Sequence, residues 1–223
     1  MKTGWLFIVL AAAVCDWYAV WHKNERLNRF TKPATMLILL IGLGLSTGFA
    51  GNLKWFGWAL LFGLLGDIFL LLPHSFFFAG LLSFLLGHLA YIIGMGFPPA
   101  ELRLPHFILM GVIALLLAGI APILLKGISR RTSEQKMKLP VLCYMLVISL
   151  MVFSSVSTLF SSTWQPLSAA LAAVGGCLFF CSDTMLAYRG FISDFYQGRF
   201  WVRITYHLAQ IALTLAAILQ FAS

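Results

Sequence analysis

Asp16, Asp67 and Asp183 each interrupt an apolar stretch of this chain. An unpaired carboxylate near the centre of a bilayer costs roughly 2.5–3.5 kcal/mol, so three cost about 8–10 kcal/mol, comparable with the stability of a whole domain. Such groups must be paired, protonated or open to a wet cavity, and they are candidates for function. The other acidic residues, Glu25, Glu101, Glu134 and Asp194, fall in polar loops and read as solvated. In neighbouring apolar stretches lie His88, Tyr91, Tyr144, Tyr206 and Gln210, with Lys32 just ahead of one of them. Two carboxylates, a histidine, tyrosines and a lysine suffice for general acid–base chemistry. No serine sits beside an obvious base, and no cysteine has a histidine at triad-like spacing. Asp67, His88, Asp183 and His207 are metal-ligand types, but no HxxxH or HExxH spacing joins them, so neither a metal nor another cofactor is expected. Cys177 and Cys181 share a helix face without further ligands, and all four cysteines read as packing residues. His22, His74 and His106 read as ordinary polar residues in loops or at span ends, whereas a structural role for His207 stays open beside the ligand reading.

The elements that must position these groups follow from composition. Of 223 residues, 61% are hydrophobic, 15% aromatic and 10% charged, and mean hydropathy is +0.95. A soluble domain carries roughly 25% charged residues. These values exclude a soluble enzyme, a disordered chain and a nucleic-acid binder, and predict an all-α polytopic membrane bundle. At about 20 apolar residues per crossing, eight spans fit: 4–21, 34–50, 53–72, 76–96, 105–126, 139–160, 166–188 and 200–221. They fill one domain over 1–223. Prolines punctuate the breaks: Pro33 precedes the second span, Pro73 ends the third, Pro98-Pro99 end the fourth and Pro166 opens the seventh. The first span continues through Trp17, Tyr18 and Trp21, an interfacial aromatic belt rather than a cleaved signal.

The net charge of +8 reads as loop bias. Twelve basic residues fall on one side: Lys23, Arg26, Arg29, Lys32, Lys126, Arg130, Arg131, Lys136, Lys138, Arg189, Arg199 and Arg203. Three, Lys2, Lys54 and Arg103, fall on the other. Both termini are therefore expected outside and the basic loops in the cytoplasm. Asp16, Asp67 and Asp183 then lie about five residues, roughly 8 Å, below the cytoplasmic edge. Tyr144 and Tyr206 share their layer, Lys32 sits above it, and His88 and Gln210 lie deeper, with Tyr91 one turn beyond His88. The pattern predicts a pocket opening to the cytoplasm or inner leaflet. A four-plus-four repeat also suggests itself: Gly66-Asp67 with Leu70 matches Ser182-Asp183 with Leu186, His88-Leu89-Ala90 matches His207-Leu208-Ala209, and Lys32-Pro33 loosely matches Lys138-Leu139-Pro140. An offset of four helices makes the halves parallel, with a pseudo-twofold along the membrane normal.

At these residues the sequence resembles the YhhN family, the lysoplasmalogenase family of small eight-span membrane proteins. The resemblance rests on Lys32-Pro33, Leu65-Gly66-Asp67 with Leu71-Leu72-Pro73, Gly80 with Phe84, His88 and Tyr91, Pro140 with Tyr144, Ser182-Asp183 with Leu186-Ala187, and Tyr206 with Gln210. It runs in order over nearly the whole chain. It implies hydrolysis of the vinyl ether bond of a lysophospholipid drawn from membrane lipid, to a fatty aldehyde and a glycerophospho-ethanolamine or -choline. Asp67 and Asp183 carry over as catalytic residues, and Lys32, His88, Tyr91, Tyr144, Tyr206 and Gln210 as substrate-binding residues.

The chemistry agrees. A vinyl ether is cleaved by protonating its β-carbon, adding water to the resulting oxocarbenium ion and letting the hemiacetal collapse. This needs a carboxylic acid that keeps its proton near neutral pH, which a dry site and a second carboxylate favour. The second, ionised carboxylate steadies the cation, as in glycoside hydrolysis. Which aspartate plays which part stays open. Lys32, with arginines from the cytoplasmic loops, is expected to hold the phosphate. The competing readings are a small proton-coupled lipid or solute transporter, a metal-dependent lipid hydrolase and, last, an intramembrane aspartyl protease. Short loops suit a bacterial inner membrane or an ER-like membrane.

Overall fold

Helix boundaries in this chain are set by side chains that satisfy the first free N–H groups and by residues that cannot continue the ladder. The structure is a computed structural model that describes residues 4–130 and 132–222. It contains eight α-helices: α1 (Trp5–Trp21), α2 (Glu25–Thr47), α3 (Leu53–Phe69), α4 (Phe77–Gly94), α5 (Leu104–Ser129), α6 (Lys138–Ser157), α7 (Pro166–Phe191) and α8 (Gly198–Phe221). Among the described residues there is no strand, as the composition requires. Six helices, α2 and α4 to α8, are long and apolar enough to cross a membrane, which makes this a multi-pass membrane protein. α1 and α3 have 17 residues each, about 26 Å of rise, slightly under the usual hydrocarbon thickness.

The second span begins nine residues earlier than the sequence suggests. Asn24 caps it, its side chain accepting the Leu27 N–H at 3.1 Å, and Pro33 lies inside the helix rather than at its start. The ring removes one N–H from the ladder, a loss that packed membrane helices tolerate because neighbours re-satisfy the freed groups. The consequence is functional. Lys32 is no loop residue above the acidic layer; it is a buried helical residue within that layer. α3 stops at Phe69, short of Pro73, which leaves Asp67 in its final turn. His106 lies at a span end, as expected, but it is buried there, in the first turn of α5, where its Nδ1 accepts the Arg103 N–H at 3.0 Å.

The closest helix pairs are α3 on α4 and α7 on α8. Both depend on a missing Cβ. A Cβ on Gly87 would stand 3.3 Å from the Ala59 carbonyl, and one on Gly175 would stand 2.8 Å from Leu213 and 3.1 Å from the Ala209 carbonyl. Small residues let backbones approach where lipid offers no hydrophobic drive to do so. α5 stands apart. Among its described residues only His106, Leu124, Gly127 and Ile128 are buried; its C-terminal half packs against α6 and α7, and His106 in its first turn meets Phe153 of α6.

The two four-helix halves reuse one scheme. The third and fourth helices of each half form its tightest pair. The Tyr91 hydroxyl donates to Gln210 Oε1 at 2.5 Å across 119 positions, the same offset that relates His88 to His207. The bond joins α4 to α8.

Gly175→Leu is expected to destabilise the protein by about 1–3 kcal/mol through overpacking, read as a lowered midpoint in thermal unfolding of the detergent-solubilised protein. An unchanged midpoint would show that α7 and α8 do not need this approach.

Candidate active site

Asp67, in the last turn of α3, is buried and pairs with Lys32 of α2, whose Nζ stands 3.1 Å from Oδ1. The same ammonium donates to the Asp67 carbonyl at 3.3 Å, one of the helix-end acceptors without an intrahelical partner. Lys32 thus caps α3 and neutralises its carboxylate together. Asp67 Oδ2 and the Tyr206 hydroxyl are both buried and have no hydrogen-bond partner among the described residues. Asp67 and Tyr206 are close enough to interact electrostatically.

Asp183, on α7, has a different environment. The Tyr144 hydroxyl of α6 donates to its Oδ2, and His88 Nε2 of α4 lies 3.1 Å from the same oxygen and 2.9 Å from the tyrosine hydroxyl. The hydrogen bonds converge on Oδ2 and leave Oδ1 without a partner among the described residues. Asp67 thus takes a partner from α2 and faces α8, while Asp183 takes partners from α6 and α4. The helices concerned, α2 with α6 and α8 with α4, are each four apart in chain order.

The carboxylates share a cavity of about 320 Å³ whose charged and polar lining is Lys32, Asp67, Ser182, Asp183, Arg189, Arg199, Arg203 and Tyr206. A second, narrow cleft of about 50 Å³ runs among apolar side chains of α4, α5, α6 and α7, including Leu81, Ile120, Leu124 and Ile148. The two meet at Leu70, Phe77, Phe84, Leu186 and Asp183. Asp183 is the one polar residue common to both linings. The arrangement suits an amphiphile with a charged end in one chamber and an alkyl chain entering the other.

Other expected site residues fall as follows. Tyr144 lines the cleft and Tyr206 the cavity. His88 reaches them through Asp183. Tyr91 and Gln210 are bonded to each other and line neither space. Asp16 is buried and accepts from Thr31 Oγ1 at 2.7 Å, with Arg203 Nη1 at 3.9 Å; it ties α1 to α2 and α8. His207 Nδ1 accepts from Trp17 Nε1 at 3.1 Å, a bond that fixes its tautomer and joins α8 to α1. Among the described residues no three His, Cys, Asp or Glu side chains converge as a metal-binding group.

Three arginines of the cytoplasmic-loop set, Arg189, Arg199 and Arg203, line the cavity. Arg203 was counted with a cytoplasmic loop, yet it lies in the second turn of α8, buried and facing the cavity. The signal was its spacing: Arg203, Tyr206 and Gln210 recur at three and four residues, one face of a helix. Outside the spans, Arg189 forks onto Asp194 at 2.6 and 2.9 Å and holds that carboxyl down at about 2. The pair therefore stays ionised at any ordinary assay pH.

Fold and site together define a polytopic helical membrane protein in which buried aspartates line a polar cavity that meets an apolar cleft at Asp183. The YhhN family model matches residues 27–217, and the chain belongs to the YhhN family. It is similar to the lysoplasmalogenase TMEM86B of Homo sapiens, 26% identical over 207 residues, covering 92% of this chain and 82% of that protein. The lysoplasmalogenase TMEM86B of Mus musculus is 29% identical over 160 residues, covering 72% of this chain and 62% of its own length. No solved structure matches the chain.

Removing one partner of a buried pair leaves the other charge uncompensated. Lys32→Met is expected to cost about 3–5 kcal/mol, whereas Lys32→Met/Asp67→Leu recovers most of the loss. Thermal unfolding of both variants in detergent checks this; equal loss in single and double variants would mean that the pair does not bear on stability.

Proposed function

We propose that this protein is a lysoplasmalogenase, hydrolysing the vinyl ether bond of a lysophospholipid to a fatty aldehyde and a glycerophospho-ethanolamine or -choline. Membership of the YhhN family and the names of the TMEM86B relatives support the reaction class. The observation that carries the mechanism is the place of Asp183 at the meeting of the polar cavity and the apolar cleft. A bound lysolipid with its glycerophosphate in the cavity and its first carbons in the cleft sets its vinyl ether beside that carboxyl.

Asp183 is the proton donor. Tyr144 and His88 hold Oδ2, so Oδ1 carries the transferable proton to the β-carbon, the first chain carbon past the ether-bearing one. Protonation breaks the C=C π bond and leaves an oxocarbenium ion. Asp67, ionised against Lys32, lies on the polar side, where it steadies the cation and takes a proton from the attacking water. The hemiacetal then collapses: Asp67 returns its proton to the leaving glycerol oxygen, Asp183 regains one from the hemiacetal hydroxyl, and the C–O bond breaks. Atoms and charge balance over the cycle, and both carboxyls return to their starting states. Tyr206, with a free buried hydroxyl, positions the water or the glycerol hydroxyl. Tyr91 and Gln210, bonded to each other, hold α4 against α8 beneath the site.

In this reading all eight helices cross the membrane as one domain, both termini face outward, and the cavity opens to the cytoplasmic side among the basic loops. A bacterial inner membrane suits this arrangement.

Purified protein in detergent is expected to release aldehyde from 1-alkenyl lysophospholipid and none from the 1-alkyl analogue, with chelator making no difference. Asp183→Asn and Asp67→Asn should each lower turnover at least 100-fold, the lower end of what positioned acid–base groups supply, while eluting as folded protein. Full activity in both variants would refute the mechanism, and no aldehyde from folded wild-type protein would refute the function.

A further inference from the structure

The polar cavity contains four basic side chains, and three are already engaged. Lys32 is paired with Asp67 at 3.1 Å. Arg189 forks onto Asp194 at 2.6 and 2.9 Å, and Arg199 forks onto Glu25 at 2.5 and 3.2 Å. Two-point Arg–carboxylate pairs satisfy the planar donor fork that an incoming phosphate would need.

Arg203 differs. It is only 8% exposed, yet it lines the cavity beside Lys32, Asp67, Asp183 and Tyr206. Its counter-ion, Asp16, stands 3.9 Å from Nη1, close enough to balance charge but too far for a hydrogen bond. Nη1 is buried and has no hydrogen-bond partner among the described residues. Asp16 accepts from Thr31 at 2.7 Å through Oδ1 only, its Oδ2 facing Nη1 without a hydrogen-bond partner among the described residues, and it lies in neither lining; the other Arg203 nitrogen, Nη2, donates to Asn28 Oδ1 at 3.4 Å. Arg203 is thus a buried guanidinium on the cavity lining that no carboxylate satisfies with a hydrogen bond, a costly arrangement unless an acceptor binds there. Arginine's geometry selects the acceptor: two adjacent oxygens of one anion, as a phosphodiester presents.

We propose that Arg203 binds the phosphodiester of the lysolipid and is the residue through which the site requires an anionic headgroup. Asp16 is its positioning residue. The assignment rests on the lysophospholipid reading above, and it moves the phosphate contact from Lys32, which is committed to Asp67, to α8. From Arg203 the glycerol runs past Tyr206 and Asp67 toward Asp183, and the chain continues into the cleft. Headgroup binding and chain entry are then fixed at opposite ends of the reacting bond.

The test is binding, with ligands that the enzyme does not cleave: a 1-alkyl lysophosphatidylcholine, the matching 1-alkylglycerol without phosphate, and soluble glycerophosphocholine. Wild-type protein in detergent is expected to bind the alkyl lysophospholipid about 10- to 100-fold more tightly than the alkylglycerol, the range of a charge-assisted hydrogen bond in a buried site. Arg203→Gln should remove that preference and leave alkylglycerol affinity unchanged; Arg203→Lys should restore part of it. Glycerophosphocholine should compete with the lipid in wild type and not in Arg203→Gln. Because Arg203→Gln leaves Asp16 unpaired, Asp16→Asn/Arg203→Gln repeats the measurement with both charges removed and should behave as Arg203→Gln does. A retained preference for phosphate in these variants, or an equal loss of affinity for both lipids, would overturn the assignment. Intact, Arg203-dependent phosphate preference in a protein that releases no aldehyde would overturn the enzyme reading and leave this one standing.

Discussion

A carboxylate in a medium of low dielectric must have a partner, and the partners chosen here hold the bundle together. Asp16 and Asp67 are buried and Asp183 nearly so. Asp16 draws α2 and α8 onto α1 through Thr31 and Arg203. Asp67 draws α2 onto α3 through Lys32. Asp183 draws α4 and α6 onto α7 through His88 and Tyr144. Every helix except α5 is joined to another by one of these groups. The interactions that make Asp67 and Asp183 tolerable also hold both of them at one cavity, while Asp16 stands behind it and reaches it through Arg203.

The two halves of the chain make unequal use of a shared plan. Each places an aspartate on its third helix and gives it one neighbour from the preceding helix and one from the other half. The equivalence ends at the side chains. One aspartate meets a lysine, the other a tyrosine and a histidine. A cation at hydrogen-bonding distance favours the ionised carboxylate, whereas a tyrosine–histidine pair engages one oxygen and leaves the other to carry a proton. The two aspartates, each on the third helix of its half, thereby sit in unlike surroundings. α5, which no aspartate ties down, forms one wall of the apolar cleft and is otherwise exposed over most of its length, which places the cleft beside the lipid from which a chain enters.

Much of this was legible in the residues. Long apolar runs broken by Pro98-Pro99 and Pro166 locate the ends of the later helices, because proline stops or starts a ladder for local reasons. Asp67, Asp183, His88 and Tyr144 stand out because polar groups in such runs carry a large energetic penalty. What was misread depends on tertiary context. Pro33 looked like a helix start, but Asn24 caps the helix and the bundle absorbs the missing N–H, which carries Lys32 down into the acidic layer. Arg203 looked like a loop charge, and only the packing of α8 against α1 and α2 turns it into the cavity. Tyr91 and Gln210 were grouped with the pocket by depth. Depth cannot tell a residue that faces the cavity from one that faces a neighbouring helix.

The central claim is that Asp183 delivers a proton to carbon, and the product records that event. Hydrolysis of a 1-alkenyl lysophospholipid in heavy water, with the aldehyde trapped at once and weighed by mass spectrometry, asks where the solvent hydrogen went. The account expects one deuterium on the carbon next to the carbonyl of every aldehyde formed, with a slower first turnover than in light water. Aldehyde free of deuterium at that carbon would mean that the bond is broken without protonation of the double bond, and would contradict the account.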